Sequence, residues 1–413
     1  MKICMIAPVV LPLLGDNQKY GGIEVVVSVL AEELTRKGHD VIVFASGDSK
    51  IKANVVPVVP NALGIGTNFK KEKEYNRLAY EMAVSEKPDV IWDNTLAVHG
   101  YVKQPSKQRL PFLPTNSFRL TRVINTDGIP VIHTIHSPAK RYWPRVVHKL
   151  SKAGHYFVTI SRDQARGYKK YIKSGQHLGT IYNPVDLDFF KPAKVKKGDF
   201  LLWLGRFSVE KGAHIALAAA QKIDIPIILV GKMMDKYEIK YFKKFIQPYL
   251  GPNDRFIENG TTRMNADLFK NAKAFLMTNL WKEPFGMVVA QSMASGTPVI
   301  GPSLGSLTEL IGNSGKLVKV KDLFISENAK SITRSQKIYI NRVADAIKSV
   351  DSISSKAPRQ RAEELFSSKK IANSYEKAFQ EAVYLNSMVK TKQLMKKYGQ
   401  KDKRSQIGIT DTI

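Results

Sequence analysis

The chain has 413 residues, 43% of them hydrophobic and 24% charged, the balance of a globular protein with enough length for two cores. With 64 Lys and Arg against 36 Asp and Glu, the net charge is +28, which favours an anionic partner such as nucleic acid, lipid headgroups or a phosphorylated substrate. The single cysteine, Cys4, excludes an internal disulfide and a cysteine-rich zinc site, and agrees with a reducing cytoplasmic compartment.

Lys2 to Pro8 reads as a first strand. Lys2 and the apolar run after it are like the start of a secretory signal, but Pro8 and Pro12 interrupt the run and no small-residue cleavage site follows. No stretch reaches the roughly 18 apolar residues of a membrane-spanning helix. After Gly21-Gly22, residues Ile23, Val26, Val27, Leu30, Ala31 and Leu34 recur at helical spacing, and Gly38 closes the helix. Asp40 to Ser46 is a second strand, so the unit is βαβ and the sheet parallel. The glycine pair lets a ligand approach the backbone at the helix start, although tight turns use such pairs too.

Strand-like runs continue at Val55–Val58, Val90–Asp93 and Val131–His136. Between the last two, Tyr101 to Asn125 is rich in Lys, Arg, Pro and Ser without a period. It reads as a surface insert, either solvated or contacting an acceptor or a membrane. His136 ends a strand at the edge where open parallel sheets bind ligands, but alone it reads as a hydrogen-bonded structural histidine. His99, after Trp92-Asp93-Asn94, is a weaker candidate for the acceptor side. Tyr156–Ser161 is a further strand, Arg162–Lys173 a helix, and Pro192–Gly198 a Lys-rich linker.

The α/β rhythm restarts with strands at Asp199–Gly205, Pro226–Gly231, Arg255–Glu258 and Lys273–Thr278, and a helix at Ala213–Lys222. Arg206 and Lys211 follow the first of these strands. They suit a diphosphate, Arg as a two-pronged donor and Lys as a point charge, or else are two surface cations of a basic protein. Glu283-Pro284-Phe285-Gly286 reads as a tight turn and Met287–Ser295 as a short helix, capped by Gly296 and stopped by Pro298. The open N–H groups of Met287 and Val288 can hold a phosphate, with Glu283 beside them for hydroxyls. Lys369–Leu385 is an amphipathic helix with Ile371, Tyr375, Ala378, Phe379 and Ala382 on one face. Met388 to Ile413 carries seven basic and two acidic residues and reads as disordered or as touching an anionic surface.

The stretch from Glu283 through Gly286, Gln291, Ala294, Gly296 and Pro298 resembles the signature of the retaining glycosyltransferases of family 4. Gly205-Arg206 with Lys211-Gly212, the GGIE at Gly21–Glu24, and His136 match other motifs of that family. The resemblance covers roughly residues 1 to 385 and implies an α/β GT-B fold, two Rossmann-like parallel-sheet domains facing a cleft. The domains would be 1–190 on the acceptor side and 191–368 on the donor side. A helix at 369–386 would return to the first domain, followed by the basic tail 387–413.

It also implies a site. Glu283, His136, Arg206 and Lys211 would carry catalysis. Gly21, Gly22, Phe285, Gly286, Met287, Val288 and Gln291 would bind the donor, with Asn259 and Gly260 toward its base. Gln291 stands where the family has a second glutamate for the ribose, a change that weakens that contact by about 1 kcal/mol. Asp186-Leu187-Asp188 is formally the D-x-D by which other glycosyltransferases bind metal. Here it falls in the segment before the interdomain linker and is read as structural, as is Glu309. No metal or cofactor is expected. The implied reaction is retaining transfer of a sugar from a nucleotide-diphosphate sugar, such as a UDP-sugar, to an acceptor hydroxyl. The acceptor would be a glycan or lipid-linked, reached by a cytoplasmic enzyme in peripheral contact with an anionic membrane. The alternative is a non-catalytic scaffold or a basic nucleic-acid- or membrane-binding protein. Nucleic acid is disfavoured, since no basic helix carries interleaved aromatics.

Overall fold

The computed structural model describes residues 1–15, 18, 21–64, 69–96, 124–140, 143–193, 198–320 and 332–405. The first half runs β1 (Lys2–Ile6), α1 (Gly22–Arg36), β2 (Asp40–Ser46), β3 (Asn54–Val59), α2 (Phe69–Ser85), β4 (Val90–Asp93), β5 (Val131–Ile135), α3 (Trp143–Lys152), β6 (Tyr156–Thr159), α4 (Arg162–Tyr168) and β7 (His177–Thr180). The second runs β8 (Leu201–Arg206), α5 (Ala213–Gln221), β9 (Ile227–Lys232), α6 (Lys236–Phe245), β10 (Arg255–Glu258), α7 (Thr262–Asn271), β11 (Ala274–Leu276), α8 (Met287–Ala294), β12 (Val299–Pro302), α9 (Leu307–Ile311), β13 (Lys316–Val318) and α10 (Arg334–Lys348). Helices α11 (Ala357–Leu365) and α12 (Ser368–Ser405) follow.

The strands form two parallel sheets, ordered β3-β2-β1-β4-β5-β6-β7 and β10-β9-β8-β11-β12-β13. In each sheet the chain winds one way from its first strand and then the other, as in Rossmann-like domains. The reversal lies between β1 and β4 and between β8 and β11. Ligand crevices open at such points, outside the carboxyl ends of the strands. The inner strands are nearly all buried, the expected result of helices on both faces, while the edge strands β3, β7, β10 and β13 are partly exposed.

Helix α12 crosses back to the first domain. Ile371, Tyr375, Ala378, Phe379 and Ala382 enter the core built on α1 and the first sheet. Tyr375 and Phe379 pack on Trp92 at centroid distances of 4.4 and 5.2 Å. Their polar ends are matched too: Trp92 Nε1 donates to Thr134 Oγ1 at 2.8 Å, and that hydroxyl is 3.0 Å from Tyr375 Oη. The helix does not stop near Leu385 as its amphipathic stretch suggests. It runs on to Ser405, because the tail is rich in Lys, Gln, Leu and Met, good helix formers that outweigh Gly399, and has no proline. The expectation of a disordered tail from 387 is therefore corrected over 387–405, while 406–413 lie outside the described residues.

Among the described residues no helix is long and apolar enough to cross a membrane. His99, nearly all of the insert at Tyr101–Asn125 and part of the linker lie outside the described residues. Asp186 has a structural role: its Oδ1 accepts the N–H groups of Asp188 and Phe189, both at 2.9 Å.

Candidate active site

Strand β8 delivers Arg206 to the carboxyl edge of the second sheet, and a tight turn carries the chain from there to α5. Gly212 closes that turn at φ 71°, packed so closely that a Cβ would collide with the Thr278 carbonyl oxygen. Thr278 Oγ1 donates to the Gly212 carbonyl at 2.8 Å, and Leu280 N donates to the Glu210 carbonyl at 2.8 Å. The turn is thus fastened to the segment after β11, which brings Lys211 to Glu283. Their charged ends are 2.8 Å apart, with side-chain exposures of 21% and 13%. Lys211 Nζ also lies 5.3 Å from the ring centroid of Trp281, a cation–π contact.

The Glu283 backbone is held from the next loop. Ser306 N–H donates to the Glu283 carbonyl, and the Ser306 hydroxyl sits 2.9 Å from that oxygen and 2.8 Å from the Phe285 carbonyl. Gly286 at φ 93° then starts α8. A non-glycine residue resists that angle, and glycine brings no side chain to cap the first turn. The first N–H groups of α8 therefore point out of the helix end with its partial positive charge.

A second helix start meets this one. Gly21, at φ 117°, begins α1, and a Cβ on Gly22 would lie 3.6 Å from Met287 Cγ. The amino ends of α1 and α8, one from each domain, converge at the mouth of the cleft. Two such ends with Lys211 beside them suit a group bearing two negative charges.

Arg206 is turned to two carboxylates, Glu238 at 3.0 Å and Glu210 at 3.6 Å. Burial holds Glu238 above the usual carboxylate range, against the opposing pull of the Met234 N–H and Arg206. Gln291 is partly buried one turn into α8. The Phe285 ring is buried between Tyr182 and Phe366, so its backbone is what faces the turn. Asn259, in left-handed backbone at φ 57°, and Gly260 lie at the end of β10, two strands from Arg206.

His136 follows β5 on the opposite side of the cleft. Its Nε2 is 3.2 Å from Asn94 Oδ1, an acceptor, which puts the proton of the neutral ring on Nε2 and leaves Nδ1 as the acceptor. Burial lowers its pKa to about 4, against a smaller opposing effect of Asp93, so the ring is neutral at pH 7. Among the described residues no hydrogen bond or ion pair links His136 to Glu283, Lys211 or Arg206.

Glu72 and Asn76 escaped the sequence reading, and Glu24 entered it only as the end of the GGIE run. Glu24 on the first turn of α1 is buried; that burial, then the charge of Glu72, raises its carboxyl to about 7 against its own backbone N–H. Glu72 and Asn76 occupy successive turns of α2, and Tyr80, one turn on, donates to Asp93 at 2.9 Å. Asn76 is fully buried with neither end of its amide partnered, and the Asn94 amide nitrogen is likewise unpartnered. Buried polar atoms in this state usually mark a water or ligand position. The signal was the i, i+4, i+8 spacing of Glu72, Asn76 and Tyr80, which places two polar residues in line with the buried stripe of Ala79, Tyr80 and Ala83.

The two domains also touch through Glu309. Its carboxylate accepts the N–H groups of Arg162 and Asp163, at 3.1 and 3.0 Å, and the Tyr182 hydroxyl at 2.8 Å. Arg361 in turn grips the carbonyls of Glu309 and Leu310 at 2.6 and 2.7 Å. A separate cavity of about 420 Å³, lined by Phe200, Ile228, Met264 and Leu268, opens at the amino-terminal edge of the second sheet, away from these groups.

The sequence profile of Glycosyltransferase Family 4 matches residues 20–189, and that of Glycosyl transferases group 1 matches residues 184–336. The chain belongs to the family 4 glycosyltransferases. This glycosyltransferase is 24% identical over 327 residues to the phosphatidyl-myo-inositol mannosyltransferase of Mycolicibacterium smegmatis, covering 73% of this chain and 78% of that protein. Its fold is that of AviGT4, a glycosyltransferase involved in avilamycin A biosynthesis, with a TM-score of 0.64, 22% identity, and coverage of 93% and 98% of the two chains. It is also that of Anabaena Alr3699/HepE in complex with UDP and glucose, with a TM-score of 0.62, 16% identity, and coverage of 92% and 99%. The two sheets are thus the halves of a GT-B glycosyltransferase.

Proposed function

We propose that this glycosyltransferase transfers a sugar, with retention of anomeric configuration, from a nucleotide-diphosphate sugar to an acceptor hydroxyl in glycan or glycolipid synthesis. The observation that carries the reading is the convergence of Lys211, Glu283 and the amino ends of α1 and α8 on one point of the cleft. A structural relative with UDP and glucose bound supports a UDP-sugar as donor.

In this reaction the acceptor oxygen attacks the anomeric carbon on the face the nucleotide leaves. The bond from that carbon to the diphosphate breaks and its electron pair stays with the diphosphate. The acceptor proton passes to a diphosphate oxygen, so no protein nucleophile is needed. Lys211, Arg206 and the two helix ends offset the charge that builds on the leaving group, the work a metal does in other transferases. No metal is required on this account. Arg206 reaches the diphosphate by releasing Glu210, the longer of its two contacts. Glu283 holds the hydroxyls of the transferred sugar, and neutral His136 offers Nδ1 as a further acceptor. On this reading acceptor hydroxyls satisfy the orphaned amides of Asn76 and Asn94, while the Glu24 carboxyl packs against Gly21 at the start of α1. A lipid-linked acceptor would be met in peripheral contact with an anionic membrane, which the net charge of +28 favours.

The test is Glu283→Gln assayed with the donor found by nucleotide-dependent thermal shift in EDTA. Transfer falls about 100-fold or more while the nucleotide shift persists. Full transfer by this variant would remove Glu283 from catalysis.

A further inference from the structure

Past its buried half, α12 leaves the first domain. Asn386 Nδ2 donates to the Gly128 carbonyl at 2.8 Å, and the Lys390 stem lies over Gly128. Every residue from Ser387 to Lys396 is exposed. This stretch is unusual in two respects. Within twelve residues it exposes Tyr384, Met388, Val389, Leu394 and Met395, between 41% and 69% accessible. From Ala382 to Lys401 it contains five lysines and no carboxylate.

The arrangement is directional. Tyr384, Met388, Thr391 and Met395 recur at i, i+4, i+7 and i+11 and share one face. Lys392 and Lys396 border that face on one side and Leu394 on the other. Lysine stems can lie along apolar surface while the ammonium groups reach outward. An apolar stripe edged by lysines is the pattern of a helix lying in the plane of a membrane surface.

We infer that residues 384–396 of α12 form a docking surface for a bilayer with anionic headgroups. The inference rests on the peripheral-membrane part of the reading above for its choice of partner, and not on the transfer chemistry. A second copy of the chain fits less well, because pairing two such segments sets lysines against lysines with no carboxylate to offset them. Nucleic acid would use the charge and leave the methionines in water.

The direction of the helix adds a consequence. Gly128 precedes β5, so the exposed segment departs at the amino-terminal edge of the first sheet, while the cleft opens at the carboxyl edge. Docking through α12 therefore holds the enzyme at the surface without covering the cleft.

The experiment is cosedimentation of the full chain with vesicles of phosphatidylcholine alone or with about one third phosphatidylglycerol, at low and high salt. Each lysine near an anionic surface contributes roughly fivefold to partitioning. Wild type should bind anionic vesicles at least tenfold better than neutral ones, less so at high salt. Met388→Glu with Met395→Glu, and separately Lys392→Glu with Lys396→Glu, should each lose at least tenfold. Both variants should keep the wild-type melting midpoint and nucleotide-induced shift, which separates this outcome from failure of the donor site. Three results overturn the inference: no preference of wild type for anionic vesicles, unchanged binding by both variants, or a wild-type dimer that the variants dissociate. Preferential binding to RNA or DNA that the same variants abolish would assign the surface to nucleic acid instead.

Discussion

Lys211→Ala probes the ligand-free pair and the proposed diphosphate contact together, and the structure separates the two effects. In the free enzyme the variant strands Glu283, which is 13% exposed. Breaking a fully buried pair costs about 3–5 kcal/mol and an exposed one at most about 1 kcal/mol, so this partly buried pair is worth about 2 kcal/mol. For a domain of this size the melting midpoint should fall by about 4–8 °C. The nucleotide effect is additional. Loss of one charge-assisted hydrogen bond to a diphosphate weakens binding by about 1.5–3 kcal/mol, or about ten- to a hundredfold. At a nucleotide concentration that stabilises wild type by about 2.7 kcal/mol, the variant should gain only about 0.4–1.4 kcal/mol. The assay is differential scanning fluorimetry with and without the nucleoside diphosphate, in EDTA. Adding Glu283→Ala to Lys211→Ala should restore about 2 kcal/mol relative to the sum of the single changes, since no charge is then stranded, yet leave the nucleotide shift weak. A nucleotide shift in Lys211→Ala equal to that of wild type would refute the diphosphate role, and additivity of the two changes would refute the pair.

Further expectations follow from the two sides of the cleft. The pKa of His136 is about 4 in the fold against 6.5 in the unfolded chain. A lowered pKa means that its share of stability is complete above pH 6.5 and is lost as the pH falls toward 4, by about 2.5 kcal/mol at pH 4.5. His136→Asn should flatten the fall in midpoint between pH 7 and 4.5, and an unchanged slope would show that the ring is not held neutral. Glu309→Ala removes the acceptor for two N–H groups and the Tyr182 hydroxyl across the domains. It should cost about 2 kcal/mol and enlarge the radius of gyration in X-ray scattering, with partial recovery in Glu309→Gln, which can still accept. Equal scattering from wild type and both variants would count against that interdomain role.

Part of this protein is written locally. The spacing from Ile23 to Leu34 and the apolar strands at Asp40–Ser46 and Val90–Asp93 coincide with α1, β2 and β4, because buried elements of a parallel sheet leave strong apolar patterns. The Glu283–Gly286 turn and the start of α8 were equally visible, since glycine and proline mark backbone angles that other residues avoid. Helices α2, α6, α7 and α10 were not. Each does bury an apolar face, Ala79, Tyr80 and Ala83 in α2, Tyr241 and Phe242 in α6, Ala266 and Phe269 in α7, and Tyr339, Ile340, Val343, Ala344 and Ile347 in α10, but the lysines and carboxylates between these residues dilute the pattern along the chain.

What the sequence by itself determined was the kinds of residue available for an anion and the rhythm that folds them into two parallel sheets. Tertiary structure alone decided that Lys211 meets Glu283 across 72 residues of chain, and that Phe285 turns inward. It decided also that the amino ends of α1 and α8 converge, that Glu309 bonds the other domain, and that α12 continues beyond its buried face. Each of these depends on where distant segments are brought by packing, and a local pattern of hydrophobicity or turn residues holds no record of that distance.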